Sequence, residues 1–353
     1  ELPDILIKHV QQNTLKLVYS DPQGNEELRE AICGIEQRLR GVRARPEQVI
    51  VTSGSQLGLL MCLKILFSPG DKVWIEDPQY PLLRAATKTQ DIVPVYVPVD
   101  NEGFNLQTAL ALEPNAKGVF LTPSHQCPLG MLMSIQRRRN ILQWASESGG
   151  WIVEDDYDSE LRYGGNLAYP SLQGMDSGNN VIYVGTFSKS LFPGLRLGYM
   201  VVPEELVKPF SGMRFLIDRQ SNEILQMAVA EFIKTGLYET HLLKMRRIFE
   251  ARRDYLIQAV QENFGDWGKF IATGQGMHLT FVFNNSDIND EAVADLCRRQ
   301  GVELRSISSF SIGTPLYKGL IMGFGHFPPA QLLAAVSRIG FVLRDKFAAF
   351  GPN

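Results

Sequence analysis

Apolar positions in the first 200 residues follow two patterns, short continuous runs and runs spaced every three to four residues. The short runs are bounded by turn residues and predict strands at 49–52, 73–75, 91–97, 118–121, 151–153 and 181–184. The spaced runs predict helices over 25–39, 57–66 and 134–148, and another helix from Leu82. Strands that alternate with helices in this way predict an α/β fold with a mainly parallel sheet covered on both faces.

The pattern changes after residue 205. Long helical patterns cover 221–237 and 241–262, strands are expected within 270–283 and 302–324, and a helix is expected over 328–343. This second pattern predicts a smaller α+β lobe. We therefore divide the chain into an N-terminal arm (1–18), a large domain (19–250) and a small C-terminal domain (251–353). The basic face of the helix at 241–262 is interpreted as solvated or dimer-facing rather than as a nucleic-acid site.

Composition narrows the class of protein. The 353 residues carry a net charge of −3, so the chain has no general attraction for nucleic acids or acidic membranes, and DNA binding would need a separate basic module. The four cysteines form no CxxC pair, which indicates a reduced, cytoplasmic protein without a metal site. No apolar run is long enough to span a membrane. The chain opens at Glu1 without an initiator methionine, and we expect it to be part of a longer protein.

The strongest chemical signal is a lysine that follows a buried strand. Lys189 lies between Ser188 and Ser190 in a turn after the strand at 181–184, and Arg196 follows seven residues later. Desolvation would lower the pKa of such a lysine and make its neutral amine a nucleophile for a carbonyl, while an arginine suits a phosphate. The pair predicts a Schiff-base lysine beside a phosphate-bearing aldehyde, as in pyridoxal 5′-phosphate (PLP). The alternative is a surface lysine after a buried strand.

Other predicted strand ends carry the groups that such a cofactor needs. Backbone N–H groups at a helix start, with nearby hydroxyls, can hold a phosphate. A carboxylate can pair with the pyridine nitrogen, and aromatic side chains can contact the phenolic oxygen and the ring face. The candidates for these four roles are, in order, Gly54, Ser55 and Gln56 with Thr186 and Ser188, then Asp155, Tyr157 and Tyr80. Three consecutive acids, at 154–156, leave the carboxylate assignment open by one residue.

These motifs, in this order, resemble the fold-type I aminotransferase family. They are Ser-Gly-Ser-Gln from residue 53, Glu-Asp-Pro-Gln-Tyr-Pro from 76, Glu-Asp-Asp-Tyr-Asp-Ser-Glu from 154 and Thr-Phe-Ser-Lys-Ser-Leu-Phe-Pro-Gly-Leu-Arg-Leu-Gly-Tyr from 186. Together with Thr-Pro-Ser-His-Gln-Cys-Pro-Leu-Gly from 122, they resemble more narrowly the aminotransferase-like domain of the MocR/GabR group of bacterial transcription regulators. The resemblance implies a homodimer with sites at the subunit interface, and DNA binding through an N-terminal winged-helix domain that is not in this chain.

The resemblance also implies a role for each residue. Lys189 would bind the cofactor aldehyde, Asp155 the pyridinium nitrogen and Tyr157 the phenolic oxygen, and Tyr80 would stack on the ring. Tyr19 would reach the phosphate in the partner subunit, which implies an obligate dimer. The phosphate of the same subunit would be held by Gly54, Ser55, Gln56, Thr186, Ser188 and Arg196.

Two positions depart from the aminotransferase pattern. Cys127 stands where aminotransferases usually have an asparagine that contacts the cofactor oxygen, and His125 and Gln126 are candidates to replace it. Ile321 stands where they carry an arginine that binds the substrate carboxylate. Four other residues are candidates to bind an anionic effector, namely Arg305, His278, His326 and Arg84.

The resemblance favours an effector-sensing and dimerisation domain of a MocR-type regulator, which binds an amino compound as an external aldimine on PLP. The missing arginine argues against ordinary turnover. A free-standing PLP-dependent aminotransferase is the alternative, with Lys189 also acting as the general base. A third interpretation is a regulator that senses PLP itself.

Overall fold

A computed structural model of the chain describes residues 1–12, 19–165 and 169–351. Residues 13–18 of the predicted N-terminal arm lie outside the described residues. The first part of the arm is a helix, and its Lys8 Nζ lies 2.8 Å from Glu231 Oε1. Within the described residues, no helix combines the length and the apolar character needed to cross a membrane.

The helices and strands alternate along the chain as the sequence pattern predicts. The helices are α1 Leu2–Gln12, α2 Glu26–Arg40, α3 Ser55–Leu66, α4 Pro81–Lys88, α5 Leu106–Leu112, α6 Ile135–Ser148, α7 Leu172–Met175, α8 Val207–Ile217, α9 Glu223–Lys234, α10 Leu237–Phe264, α11 Asp290–Arg299 and α12 Pro329–Lys346. The strands are β1 Val49–Thr52, β2 Lys72–Asp77, β3 Val93–Pro98, β4 Gly118–Leu121, β5 Trp151–Asp156, β6 Val181–Thr186, β7 Gly198–Val201, β8 Gly268–Ile271, β9 His278–Phe283, β10 Arg305–Ser306 and β11 Gly319–Gly323.

Side-chain caps set where several helices begin. Asn25, Ser134 and Asn222 each accept a hydrogen bond from the backbone N–H three residues later, at the starts of α2, α6 and α9. Gly41 and Gly149 end α2 and α6 in the left-handed conformation that favours glycine. These local signals explain why the sequence pattern located the helices of the large domain.

In the described residues, seven strands form the larger sheet in the order β1-β7-β6-β5-β4-β2-β3. β2, β3, β4, β5 and β6 pair in parallel, whereas β7 is antiparallel to both β1 and β6. The predicted α/β class with a mainly parallel sheet is confirmed. Because six strands run in one direction, the carboxyl ends of β1, β2, β4, β5 and β6 lie along one edge, which is where ligands bind in such sheets.

The smaller sheet has the order β10-β11-β9-β8, with every pair antiparallel. One face packs on α10, α11 and α12 through the core that contains Leu279, Phe281, Leu304, Leu320 and Met322. On the other face, Val282 and Ile321 pack against a buried cluster of Val99, Leu129, Met131 and Ile307, which ties this lobe to the larger domain. The domain boundary predicted at residue 250 falls within α10.

Candidate functional site

The first group of predicted residues lies at the start of α3. Gly54 precedes this helix with φ 120° and ψ 165°, a backbone conformation that is open to glycine alone. A Cβ added to Gly54 would lie 3.3 Å from Arg196 Nη2, so the guanidinium rests against the glycine backbone. Ser55 and Gln56 form the first turn of α3, where free N–H groups point toward the same place.

The hydroxyl groups of Thr186 and Ser188 lie next to the start of α3, where Arg196 rests against Gly54. Their oxygens are 3.0 Å apart, and Ser188 N donates to Thr186 Oγ1 at 3.2 Å. Thr186 pairs with Gly198 of β7, and Gly198 also pairs with Thr52 at the end of β1. The antiparallel strand therefore brings the ends of β1 and β6 together, so that the two halves of the predicted phosphate site are neighbours.

Strand alternation separates the three consecutive acids of β5. Glu154 accepts hydrogen bonds from Leu172 N and Gln173 N, each at 3.0 Å. Asp156 Oδ2 accepts from Arg40 Nε at 2.7 Å and from the Tyr183 hydroxyl at 2.9 Å. Asp155 points to the opposite face of the strand, as period-two alternation requires.

Asp155 is the acid whose carboxylate is not used by the fold. Its Oδ1 is buried and has no hydrogen-bond partner among the described residues. Burial raises the pKa of Asp155 to about 7, and the charges of Asp156, Asp158 and Glu76 act in the same direction. A cation next to this oxygen would favour the ionised form of Asp155 and lower its pKa.

Tyr157 belongs to a hydrogen-bonded group with His125 and Asp158. His125 Nδ1 lies 2.9 Å and 3.0 Å from the two carboxylate oxygens of Asp158, and 3.1 Å from the Tyr157 hydroxyl. An ionised carboxylate only accepts hydrogen bonds, so Nδ1 donates to Asp158. A protonated Nδ1 cannot accept from Tyr157. Burial, followed by the charge of Asp158, holds the pKa of Tyr157 well above its ordinary value, so its hydroxyl stays protonated and can donate to another acceptor.

Tyr80 lies at the end of β2 and precedes the first turn of α4. Its ring is partly buried and packs against the apolar cluster between α3 and the sheet. Burial raises the pKa of Tyr80, Asp155 and Cys127 add to the effect, and Arg305 and Arg196 oppose it. Tyr80 therefore shares its surroundings with residues from β5, from the loop after β4 and from the small lobe.

Lys189 lies at the same edge but is not desolvated by this chain. Its side chain is exposed, which differs from the burial that the sequence pattern suggested, because the turn after β6 projects beyond the sheet. Its charge lowers the pKa of Cys127 against the larger raising effect of burial, and it adds to the lowering of the pKa of His278. Lys189 thus faces the loop after β4, and any burial of its amine must come from a cofactor or a second subunit.

Tyr19 is the predicted residue that stands apart from the others. It is 73% exposed, and the Arg219 guanidinium lies 3.7 Å from the centre of its ring. No contact joins Tyr19 to another predicted site residue in the part of the chain that the structure describes. Its expected contact with a partner's phosphate stays a prediction.

The loop after β4 shows which residues can replace the missing asparagine. Gln126 is buried, donates to Pro78 O at 2.8 Å and accepts from Leu129 N at 3.1 Å, so its amide is used to hold the loop. His125 stacks on Tyr157 with ring centroids 5.7 Å apart. The expected contact of His125 or Gln126 with the cofactor oxygen stays a prediction.

Sequence reasoning missed several residues that hold the site in place. Asp158 fixes His125, and Arg40 of α2 binds Asp156 and the Ser124 hydroxyl. Glu76, at the end of β2, accepts hydrogen bonds from the backbone N–H and the hydroxyl of Thr122. The acids at 76 and 158 lie within the quoted motifs and could have been found there. Arg40, more than 80 residues from either partner, carried no such signal.

A separate cavity of about 880 Å³ lies between the two lobes. Its lining includes Arg162, Lys269 and Tyr317, together with Ser124 and Gly130 from the loop after β4. None of the predicted cofactor residues lines it. The loop after β4 therefore contributes both to this cavity and to the edge that carries Asp155 and Lys189.

The site residues fit a phosphorylated pyridine aldehyde. Asp155 Oδ1 is a buried acceptor without a partner, suited to a protonated ring nitrogen. Gly54 and Arg196 form a cradle that a Cβ would crowd, suited to a phosphate. Both lie along one sheet edge with the amine of Lys189.

Comparison with known proteins agrees with this geometry. Residues 3–322 match the family described as aminotransferase class I and II. The chain is 35% identical over 331 residues to the probable rhizopine catabolism regulatory protein MocR of Rhizobium meliloti, covering 92% of this chain and 64% of that protein. It is also 35% identical over 320 residues to the uncharacterized HTH-type transcriptional regulator YdeL of Bacillus subtilis (strain 168), covering 90% and 67%.

The solved structures show the same fold. The Pyrococcus horikoshii kynurenine aminotransferase superposes with a TM-score of 0.89 at 25% identity, and the match covers 98% of this chain and 87% of that one. Against the regulators, by contrast, the chain spans only about two thirds of their length. The chain belongs to the aminotransferase class I and II family and, as its motifs predicted, is related to MocR-type transcription regulators.

Proposed function

We propose that this chain is the effector-binding and dimerisation part of a cytoplasmic MocR-type transcription regulator. Its cofactor is pyridoxal 5′-phosphate. When bound, this cofactor supplies an aldehyde that amines attack and a ring that accepts electrons. DNA binding would belong to a winged-helix domain in the remaining third of the regulator, as the similarity to the HTH-type regulator YdeL suggests.

Each site residue would contact a different part of the cofactor. Asp155 would hold the ring nitrogen, Tyr157 would donate to the phenolic oxygen, and Tyr80 would cover the ring face. The phosphate would be held at the start of α3 together with Arg196, Thr186 and Ser188. Lys189 would hold the cofactor through its side-chain amine, and when that amine is free, its Nζ would take up the proton that the ammonium group of an incoming amine loses.

One observation favours a sensor over a turnover enzyme. At the position where aminotransferases resembling this chain carry an arginine, β11 has Ile321, which packs against Val99, Leu129 and Met131. An apolar side chain there cannot make the bidentate contact that orients an amino acid for repeated turnover. Binding without turnover is sufficient for a regulator, because differential affinity for two conformations already shifts their populations.

A spectroscopic experiment tests the cofactor role of Lys189. The protein reconstituted with PLP should absorb in the visible range, and Lys189→Ala should lose that band. Lys208→Ala, an exposed lysine of α8, is the matched control and should keep it. A band that is unchanged in Lys189→Ala would refute the assignment.

Kinetics separates the regulator from the alternative enzyme. The protein is mixed with an amino acid and a keto acid, and product is counted per active site. One turnover or fewer supports the sensor. Many turnovers at ordinary enzymatic rates, about 1 s⁻¹ or faster, would establish the free-standing aminotransferase instead.

A further inference from the structure

In the small lobe, an arginine lies beside Ile321, the position at which aminotransferases carry an arginine. β10 and β11 are antiparallel, and Arg305 is the residue directly opposite Ile321. Residues directly opposite each other in an antiparallel pair project from the same face, with Cβ atoms about 4.5–5.5 Å apart. Arg305 thus presents its side chain one strand away from the apolar position of β11.

The face that Arg305 shares looks toward the large domain. Leu304, Leu320 and Met322 point into the core of the small lobe, so their neighbours Arg305 and Ile321 point the other way. On the next strand, Thr280 lies opposite Ile321, and its hydroxyl donates to Pro128 O at 2.7 Å. Pro128 belongs to the loop after β4. Arg305 therefore stands on the side of the sheet that borders the cofactor site.

Backbone contacts bring the segment after β10 to the turn that carries Tyr80. Gln79 N donates to Phe310 O at 3.1 Å, and Ile312 N donates to Asp77 Oδ1 at 3.2 Å. The Arg305 guanidinium lies 5.9 Å from the centre of the Phe310 ring. The opposing effect of Arg305 on the pKa of Tyr80 agrees with this placement.

Arg305 is also a candidate cation that the fold leaves free. Its side chain is exposed and makes no hydrogen bond or ion pair to any residue that the structure describes. The pKa of His278 is lowered to about 4 by burial and by His125, and its Nε2 lies 2.9 Å from Pro128 O. Arg84 lies within 3.5 Å of Ser311 O, and His326 lies beyond the end of β11, edge-on to Phe327.

Building on the proposed function, we propose that Arg305 binds the acidic group of the effector, which is an amine that also carries a carboxylate or another anionic group. In an enzyme with an arginine on β11, the acid would bind at that strand. In this protein the acid would bind at β10, the next strand toward the edge of the small sheet, about 4.8 Å away. Arg305 is then a specificity-determining residue. It selects acid-bearing amines, while Lys189 and the cofactor recognise the amino group.

Paired titrations test this assignment. The PLP-loaded protein is titrated with β-alanine and with propylamine, which has the same chain length but no acid, and the visible band is followed. Arg305→Gln should weaken β-alanine binding about 10- to 100-fold and leave propylamine binding unchanged, since a charge-assisted contact is lost. Arg305→Lys should give an intermediate loss because it keeps the charge.

Arg299→Gln, at an exposed arginine of α11, is the matched control and should change neither titration. Equal affinity of wild type and Arg305→Gln for β-alanine, or an equal loss for both amines, would overturn the role of Arg305. Thermal melting of each variant ensures that a loss is not caused by unfolding.

A second measurement does not depend on amine exchange. Ligand-observed NMR detects propionate, an acid without an amine, on the PLP-loaded protein, with neutral propionamide as the comparison. Propionate contact should occur in wild type and be lost in Arg305→Gln. If no amine changes the visible band yet propionate contact requires Arg305, the sensor function fails and the anion site stands. If propionate does not bind and β-alanine gains nothing over propylamine, the anion site fails.

Discussion

At the scale of single residues, neighbouring acids on β5 have opposite electrostatic environments. Asp156 faces Arg40, and although burial alone would raise its pKa, Arg40 and hydrogen bonds from Ser159 and Tyr183 lower it. Asp155 has no such partner, and its pKa is raised to about 7. Alternation along one strand is thus enough to make one acid a structural ion and to leave the next available to a ligand.

This contrast predicts a pH dependence of stability in the cofactor-free protein. The unfolded-state pKa of Asp155 is near the ordinary 3.8, and the folded-state pKa is about 7. Between these values the folded state keeps a proton that the unfolded state has lost, so the free energy of unfolding falls as pH rises from about 4 to 7. Asp155→Asn should reduce that fall by about 1–2 kcal/mol, as measured by urea unfolding at pH 5 and pH 7.

Asp156→Asn is the control, and its expected effect differs. Because its folded-state pKa is lowered, Asp156 is ionised in both states at pH 5 and pH 7, and its contribution is lost only at more acidic pH. Breaking its buried pair with Arg40 should cost about 3–5 kcal/mol at both pH values. An Asp155→Asn protein with the same pH dependence as wild type would contradict the raised pKa of Asp155.

At the scale of elements, the sequence predicts most of the large sheet because most of its strands are buried on both faces and read as short apolar runs. β7 was not predicted as a separate strand. Its first two residues, Gly198 and Tyr199, are the last two of the lysine motif, and its place between β1 and β6 depends on pairing with β1, about 150 residues earlier in the chain. α5, with seven residues, is also too short to give a clear period.

Prediction of the site from the sequence is limited in the same way, by long-range pairing that a sequence pattern does not reveal. Residues such as Asp155 and Lys189 could be grouped from sequence because parallel strands bring their carboxyl ends to one edge. The exposure of Lys189 could not be predicted, since it depends on what covers the turn after β6. The opposition of Arg305 and Ile321 could not be predicted either, because it depends on the register between two short strands of the small lobe.

The start of α3 supports a prediction about the phosphate cradle. Gly54→Ala should lower the free energy of unfolding by about 1–3 kcal/mol, because φ 120° with ψ 165° is strained for any residue with a Cβ, and the new atom would crowd Arg196. Gly212→Ala, in the interior of α8 with nothing within 4 Å of the added Cβ, should instead stabilise by about 0.5–1 kcal/mol.

Urea unfolding of the two glycine variants, without cofactor, gives the comparison. The opposite signs matter more than the magnitudes, since both variants add the same methyl group. If Gly54→Ala proved as stable as wild type, the backbone at the start of α3 would have to adopt another conformation, and the proposed phosphate contacts would lose their basis.

At the scale of the whole molecule, an apolar patch lies beside the residue predicted to reach a partner subunit. The patch consists of Tyr19, Phe215, Leu216 and Ile217, and Leu216 is 78% exposed. The Arg219 guanidinium contacts both aromatic rings of the patch, at 3.7 Å and 5.2 Å from their centres. Exposed apolar side chains of this kind, three of them consecutive at the end of α8, favour an interaction surface, which supports the proposed homodimer.

Charge placed in this patch should therefore dissociate the dimer. Leu216→Asp should raise the dimer dissociation constant at least about tenfold, because an aspartate buried in an apolar interface would lose hydration without gaining a partner. Leu112→Asp, which changes a 53% exposed leucine of α5, is the control and should leave the dissociation constant unchanged. Sedimentation equilibrium measures both. If Leu216→Asp stays dimeric at the wild-type dissociation constant, the patch is not the interface, and the dimer forms through another surface.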